Sequence, residues 1–329
     1  MTPLAPVLQA FFLTRLLRER QASPHTISAY RDTFRLVLAF AQTRTGKTPS
    51  QLRLSDLDQP VIGAFLEHLE SERGNTVRTR NARLAAIHSF FKYAALQEPA
   101  HAAVIQRVLA IPQKRASRRL VTFLTRTEVD ALLAAPDRTT WIGRRDHALL
   151  LLAVQTGLRV SELVRLRGDQ IAQEKAPHIR CLGKGRKERC TPLTRGTLAV
   201  IRKWLDERDG PIDAFVFPSR RGSALSTDAV RRAITKYASA AARSCQSLAR
   251  KTVSPHVLRH TTAVHLLEAG VDRAVIALWL GHESVETTQV YLDASLAMKE
   301  KALAKAAPSQ AAAKRYKPGD QLLAFLNGL

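Results

Sequence analysis

Cysteine is scarce in this sequence of 329 residues. Only Cys181, Cys190 and Cys245 occur, and no two of them stand at the spacing of a zinc-binding pair. Three scattered thiols cannot build a disulfide framework either. We therefore expect a protein of a reducing cytosol, without a structural metal.

Long apolar runs are missing as well. No run approaches the roughly 20 residues that a membrane-spanning helix needs, and the short apolar run near the N-terminus is not preceded by the basic stretch of a secretory signal. The sequence also lacks a Walker-type phosphate loop. We expect a soluble, cytoplasmic protein that does not contact a membrane, and nothing in the sequence indicates ATP hydrolysis.

Acidic residues are few relative to basic ones. The chain has 28 Asp and Glu against 51 Lys and Arg, which gives a formal net charge of +23. Such a surplus repels itself unless the partner is a polyanion, and nucleic acid is the usual one. Because the basic residues are spread along the chain, they fit a long groove or a clamp around a duplex better than a single patch.

The length and the local patterns predict two domains. Residues 1–110 read as helices joined by short breaks: Ser23 is a cap followed by Pro24, Pro60 opens another helix, and Asn75 caps a third. Residues 111–122 begin with Ile111-Pro112, carry four basic and no acidic side chains and lack periodicity, which indicates a basic linker.

Residues 123–305 form the second predicted domain, mainly α with a small β element. A capping box at 125–128 opens it, an apolar helix covers 145–157, and a β-hairpin with a basic, glycine-bearing turn covers 178–193. Further helices are predicted over residues 197–206, 227–242, 255–268, 273–280 and 286–305. Residues 306–329 form a tail that ends in an apolar run, which packs on its own domain or docks on a neighbouring subunit.

Basic side chains on the third helix, in the linker and in the hairpin turn are candidate phosphate contacts, although a solvated face explains any single one equally well. These candidates are Arg78, Arg80, Arg83, Lys114, Arg115, Arg118, Arg119, Arg186 and Lys187.

Five short segments of the second domain carry polar residues that a scaffold does not need. They are Thr-Gly-Leu-Arg159-Val-Ser-Glu162-Leu, Gly-Lys184-Gly, His256-Val-Leu-Arg259-His260, Leu-Gly-His282 and Tyr291. Guanidinium forks match the geometry of a phosphate, and His256 and Arg259 share one face near the N-terminal end of a helix, where an anion is favoured. Each segment alone is weak evidence for a phosphate-binding site.

Together these segments resemble the tyrosine recombinase or phage integrase family, and particularly its Xer-type and transposon-borne bacterial members. The resemblance implies a helical core-binding domain and a catalytic domain that form a C-shaped DNA clamp. It implies Tyr291 as the nucleophile that forms a 3′-phosphotyrosine, with no cofactor.

The resemblance also implies a role for each of the other site residues. Arg159, Arg259 and His282 hold the phosphate, Lys184 protonates the leaving 5′-oxygen, His256 assists proton transfer, and Glu162 supports the site.

The partners that the resemblance implies are double-stranded DNA with inverted-repeat-like sites and a tetramer on two duplexes. The subunits are identical or include a paralogous recombinase. The biological process is integration, transposition or dimer resolution, in a bacterial cytoplasm and associated with the nucleoid or a plasmid.

Three alternatives remain open. His256, His260, His265 and His282 suggest a metal site, although no complete ligand motif accompanies them. A DNA-binding protein that kept the fold and lost the chemistry would show a gap in the five segments, and none is missing. A type IB topoisomerase uses similar chemistry but relaxes supercoils without exchanging partners.

Overall fold

Two structural units make up the chain, Met1–Arg118 and Arg119–Leu329. The computed structural model describes residues 2–115, 121–174, 176–182 and 188–281, and the division between the units falls inside the predicted 111–122 linker. No helix within these ranges is long and apolar enough to cross a membrane.

The regular elements among the described residues of the first unit are all helical. The opening helix continues directly into a π-helical segment, Phe11–Glu19. The α-helices of this unit are α1 (Leu4–Ala10), α2 (Pro24–Thr45), α3 (Gln59–Ser71), α4 (Val77–Gln97) and α5 (Ala102–Leu109).

Local capping explains where these helices begin. Ser23 accepts a hydrogen bond from the Thr26 amide ahead of Pro24, which confirms the predicted start of α2. Helix α4, the third helix predicted from the sequence, starts one residue later than predicted, because Thr76 rather than Asn75 is the cap. Either polar side chain can cap a helix, so the sequence alone did not separate them.

An aromatic cluster fills the core of the first unit. Phe11 is fully buried and lies 5.6 Å from Phe90 and 6.3 Å from Phe34, measured between ring centroids. Ile111 also belongs to this core, and the Asn81 amide exchanges two hydrogen bonds with the backbone of Lys114. The start of the predicted linker is therefore bound to α4 rather than free.

The second unit surrounds a long central helix with shorter helices and a small sheet. Its helices are α6 (Arg126–Ala134), α7 (Trp141–Thr156), α8 (Val160–Arg165), α9 (Arg195–Arg208), α10 (Thr227–Ala241), α11 (Pro255–Glu268) and α12 (Arg273–Leu280). The predicted bounds of the last two are confirmed. The central helix α7 begins four residues earlier than predicted, because Thr140 caps it. The helix predicted over 286–305 lies outside the described residues.

The sheet confirms the predicted hairpin arms and adds a strand. Strands β2 (His178–Leu182) and β3 (Glu188–Pro192) pair antiparallel, with Cys181 opposite Arg189. A two-residue strand, β1 (Ile171–Ala172), extends the sheet on the other side of β2. Two residues are too few to show strand periodicity, which is why the sequence did not reveal β1.

The segment that enters the second unit is fixed to α11. The Leu124 amide donates to the Thr261 hydroxyl at 2.9 Å, and the Leu124 carbonyl lies 3.0 Å from Nε2 of His265. The predicted capping box follows directly, since Thr125 and Glu128 exchange hydrogen bonds. These contacts position α11, the helix that carries two of the predicted site residues.

Candidate active site

The N-terminal turn of α11 presents His256 and Arg259 one helical turn apart, as predicted. Ser254 accepts a hydrogen bond from the Val257 amide and Pro255 is the first helical residue, so the cap is local and specified by the sequence. His256 is exposed, whereas Arg259 is only 3% exposed.

Arg259 connects the ends of two helices. Its Nη1 donates to the Gly157 carbonyl at 2.7 Å, just beyond α7, and its Nη2 donates to the Leu280 carbonyl at 2.6 Å, at the end of α12. The last carbonyls of a helix have no donor within the helix, and they carry the negative end of its dipole. A buried guanidinium is stabilised there.

Arg159 approaches the same helix end from a different element. It is the N-cap residue of α8, and its Nη2 donates to the Gly281 carbonyl at 2.9 Å. Its side chain is 33% exposed, so solvent or a ligand can reach it. Two guanidinium groups that are 100 positions apart in the sequence therefore contact the consecutive carbonyls of Leu280 and Gly281, immediately before His282.

Glu162 compensates the charge at this point. Its carboxylate accepts hydrogen bonds from the backbone amide and Nη1 of Arg159, at 2.8 and 3.1 Å. Burial alone would raise the pKa of Glu162, but hydrogen bonds and charge from Arg189, and then from Arg159, outweigh burial and lower that pKa. Glu162 is therefore a carboxylate at neutral pH, and it holds Arg159 in place.

Arg189, for which the sequence predicts no role, joins this cluster. Its guanidinium forms two hydrogen bonds with Glu162, at 3.0 and 2.6 Å, and a third with the Trp279 carbonyl at 3.2 Å. The signal that could have found it is the alternation of β3, in which a charged residue occupies an inward position between the exposed Glu188 and Cys190.

Two histidines at the start of α11, His256 and His260, have pKa values below the ordinary value. Lost hydration, followed by the positive charges of Arg259 and Arg159, lowers the pKa of His256. His260 packs edge-on against His256 with ring centroids 4.5 Å apart, and burial with the charges of His256 and Arg259 lowers its pKa to about 4. Both rings are neutral at physiological pH, so His256 is able to accept a proton.

Metal binding finds no support among the described histidines. His265 is engaged with the Leu124 carbonyl, and the described part of the chain contains no group of three His, Cys, Asp or Glu residues that could hold an ion.

Three of the five tyrosines are described, and none is suited to attack a phosphate. Tyr30 stacks on Phe11, and Tyr93 is 8% exposed. Tyr237 has the basic neighbours Arg145 and Lys236. It is nevertheless 4% exposed and donates to Asp146 at 2.9 Å; burial and that carboxylate raise its pKa.

The predicted DNA contacts on α4 divide by exposure. Arg78 is exposed, and Arg83 is partly buried with Nη1 3.4 Å from the Thr33 hydroxyl. Arg80 is only 6% exposed and donates to the Pro112 carbonyl, so the prediction of Arg80 as a phosphate contact is not supported. A side chain engaged in fixing the backbone beyond α5 has no free face for DNA.

The remaining candidates lie in the linker, the hairpin turn and the C-terminal part. Arg115 is exposed, and Lys114 is exposed with its ammonium 2.7 Å from Glu70. The residues outside the described ranges are Arg118, Arg119, Lys184, Arg186, Lys187, His282 and Tyr291.

Known proteins match both units. The phage integrase family profile matches residues 122–297, and the profile of the phage integrase N-terminal SAM-like domain matches residues 10–98. The integrase/recombinase y4rC of Sinorhizobium fredii is 59% identical over 326 residues, which cover 99% of this chain and 98% of that protein.

More distant relatives cover most of the chain as well. Tyrosine recombinase XerC of Pelobacter propionicus is 33% identical over 302 residues, 90% of this chain and 93% of that protein. The crystal structure of the XerH site-specific recombinase bound to palindromic difH substrate, a post-cleavage complex, matches with a TM-score of 0.68 at 23% identity. That match covers 87% of this chain and 81% of the XerH chain, and it shows a shared fold.

Proposed function

The chain belongs to the phage integrase family and is a tyrosine-type site-specific recombinase, and we propose that it breaks and rejoins DNA through a 3′-phosphotyrosine on Tyr291. One observation carries the proposal. Arg159 and Arg259 converge on the carbonyls of Leu280 and Gly281, directly before His282 and eleven and ten positions before Tyr291 in the sequence.

The chemistry follows from the charge that develops during attack. A phosphodiester under attack spreads negative charge over its non-bridging oxygens, and preorganised guanidinium forks stabilise that charge. In this proposal Arg159 and Arg259 provide the forks, and His282 adds a hydrogen bond. They take the part that a metal ion plays in other phosphoryl transfers.

Proton transfer completes the reaction. The phenol of Tyr291 has an ordinary pKa of about 10, so it needs a nearby base. The neutral His256 assists removal of the phenolic proton, and Lys184 protonates the leaving 5′-oxygen. Because the phosphotyrosine ester keeps the energy of the broken bond, the reverse attack by a 5′-hydroxyl rejoins the strand without ATP.

We propose that the two units have different roles on DNA. Residues 1–110 form a domain that binds the core site, and residues 111–122 connect that domain to the catalytic residues 123–305. Exposed basic side chains contact the phosphates. The proposed contacts are Arg78, Arg83, Lys114, Arg115, Arg118, Arg119, Arg186 and Lys187. The XerH complex contains a palindromic substrate, which supports inverted repeats as the target.

A covalent trap tests the chemistry and the target together. A random library of nicked duplexes, which cannot be religated after cleavage, is incubated with the protein, and DNA that stays attached under denaturing conditions is sequenced. We expect covalent product from the wild type and none from Tyr291→Phe, with unchanged DNA binding. Covalent product from Tyr291→Phe would falsify the assignment.

Matched controls are available in the same chain. Tyr237→Phe removes a phenol that is buried against Asp146, and Tyr316→Phe removes one from the tail, so both should keep the covalent product. Plasmid relaxation without partner exchange would favour a topoisomerase. The consensus of the trapped sequences is then located in the host genome, where its surroundings decide between integration, transposition and dimer resolution, because a mobile-element end and a chromosomal site differ in their flanks.

We also propose that four subunits act on two duplexes and that residues 306–329 dock on a neighbouring subunit. The apolar run over 322–326 follows a Lys-Pro-Gly at 317–319, a pattern suited to a short docking segment after a turn. Deletion of residues 318–329 should impair strand exchange and leave binding to one duplex intact. Simultaneous loss of folding would mean that the tail packs on its own domain.

A further inference from the structure

Arg189 lies in an unusual place for a cation. It is the second residue of β3, opposite Cys181, and its side chain is only 9% exposed. A buried guanidinium is stable only when its donors and its charge find partners. The identity of those partners indicates what the residue does.

The partners belong to two elements of the candidate site. The Arg189 guanidinium forms a bidentate pair with Glu162 of α8, and its Nε donates to the Trp279 carbonyl of α12. It also packs against Gly281, where an added Cβ would lie 3.0 Å from Nη1 of Arg189 and 3.1 Å from its Cδ. Arg189 therefore connects the sheet to the start of α8 and to the end of α12.

Glu162 transmits this connection to Arg159. Each carboxylate oxygen accepts one hydrogen bond from each arginine: Oε1 lies 3.1 Å from Nη1 of Arg159 and 3.0 Å from Nη1 of Arg189. Oε2 lies 2.8 Å from the Arg159 amide and 2.6 Å from Nη2 of Arg189. The position of one carboxylate thus depends on both guanidinium groups.

We propose that Arg189 is a positioning residue, which fixes Glu162 and thereby aims the Arg159 guanidinium at the reacting phosphate; this inference rests on the proposed function of the site. Two arginines on one buried carboxylate leave a net positive charge at the end of α12. Without Arg189, the pair of Glu162 and Arg159 would have no net charge, and the Glu162 carboxylate would be held by Arg159 alone.

Loss of Arg189 also changes the titration of the site. Burial favours the protonated form of Glu162, and the hydrogen bonds and charge of Arg189 are the largest influence against it. In an Arg189→Gln variant the pKa of Glu162 therefore rises, and its carboxylate is lost as the pH falls. Cleavage by this variant should become more sensitive to mild acid than cleavage by the wild type.

The variants are Arg189→Gln, Arg189→Lys and the control Arg145→Gln. Arg145 is a close match, because its side chain is 10% exposed, it pairs with the carboxylate of Asp146 and it donates to the Pro218 carbonyl, without contacting the candidate site. Single-turnover cleavage of a nicked duplex recovered by the covalent trap is measured at saturating protein and across pH. Rates are expressed per folded molecule.

A second substrate separates positioning from general destabilisation. A methylphosphonate at the scissile position replaces one charged non-bridging oxygen, so it removes part of what Arg159 recognises. For Arg189→Gln we expect a cleavage rate about 100-fold lower, as for a misaligned catalytic group. The rate ratio between phosphate and methylphosphonate should be smaller than in the wild type, and DNA affinity should change little.

The outcomes are distinct. Arg189→Lys keeps the charge but not the planar fork, so its cleavage rate, pH profile and substrate ratio should change less, in the same directions. The same variant tests the inference if Arg189→Gln does not fold. The inference fails if the wild type cleaves and the Arg189 variants keep its rate, pH profile and substrate ratio, or if Arg145→Gln shows the same shifts. Absence of covalent product from the wild type would instead overturn the proposed function.

Discussion

Gly157 is the position where a single methyl group should disturb both the packing and the site. It ends α7 with a φ of 63°, in the left-handed region, and its carbonyl accepts a hydrogen bond from Arg259. A Cβ at this position would lie 2.6 Å from Cδ2 of Leu280 and 3.2 Å from the Thr262 side chain. Leu280 and Thr262 are both buried, so neither side chain can simply swing into solvent.

Two contributions determine the expected loss of stability in Gly157→Ala. The left-handed backbone costs an alanine about 1 kcal/mol relative to glycine. Overpacking of a close-packed interior adds about 1–3 kcal/mol. We therefore expect the free energy of unfolding of the catalytic unit to fall by about 2–4 kcal/mol.

Gly270→Ala is the matched control. Gly270 has a φ of 86° at the end of α11, and an added Cβ would meet nothing within 4 Å. This variant should therefore show only the backbone contribution, about 1 kcal/mol. The difference between the two variants isolates the overpacking against Leu280 and Thr262.

Urea unfolding followed by tryptophan fluorescence measures both variants. The three tryptophans, Trp141, Trp204 and Trp279, all lie in the second unit, so the signal reports on that unit alone. The cleavage rate per folded molecule should also fall in Gly157→Ala, because the carbonyl that holds Arg259 is displaced. Equal losses of stability in the two variants would refute the packing argument, and unchanged cleavage would refute the role of the carbonyl.

Three further variants test charge and titration. Arg159→Lys replaces a planar guanidinium fork by a point charge, so it should lower the rate of covalent cleavage about 100-fold and leave DNA binding normal. A rate within threefold of the wild type, which corresponds to about 0.7 kcal/mol of activation free energy, would show that this arginine is peripheral. The pKa of His260 is about 4 in the folded chain, against an ordinary value of 6.5. As the pH falls, His260 is therefore protonated in the unfolded chain before it is protonated in the folded chain, and stability is lost between pH 6.5 and pH 4. His260→Gln should reduce this acid loss by about 1–2 kcal/mol, as measured by urea unfolding at several pH values; an unchanged profile contradicts it. Lys251→Met removes the ammonium that lies 2.6 Å from the buried carboxylate of Glu128, so the free energy of unfolding should fall by about 2–4 kcal/mol. Adding Glu128→Gln to this variant should restore part of that loss. Additive losses in the double variant would argue against coupling between the two residues.

Local chemistry accounts for the elements that the sequence predicts well. The bounds of α11 follow from Ser254 and Pro255 at its start, and the end of α12 follows from Gly281, whose φ is 65°. Such caps act within a few residues, so a sequence window contains all the information. The hairpin arms and the helix that ends at Gly157 are predicted for the same reason.

Side chains whose partners come from distant segments are not predictable in this way. Helical spacing could not show that Arg80 points inward while Arg78 is exposed, because the carbonyl that Arg80 binds belongs to Pro112. Arg189 was missed since its partners, Glu162 and Trp279, are 27 and 90 positions away. Motif residues were recognised individually, whereas the contacts that hold them are properties of the fold.

The two glycines of the site explain why its arginines lie where they do. Gly157 and Gly281 both adopt left-handed conformations that end a helix, and the carbonyls of both accept hydrogen bonds from a guanidinium group. Helix ends concentrate partial negative charge, which suits a cation that must be fixed before an anionic ligand arrives. Each glycine thus stops a helix and turns a carbonyl towards an arginine from another segment. The Thr-Gly-Leu-Arg and Leu-Gly-His segments are therefore coupled, because Arg259 binds the first helix end and both arginines bind the second. A substitution that only moves one of these helix ends should impair cleavage even when every catalytic side chain is intact.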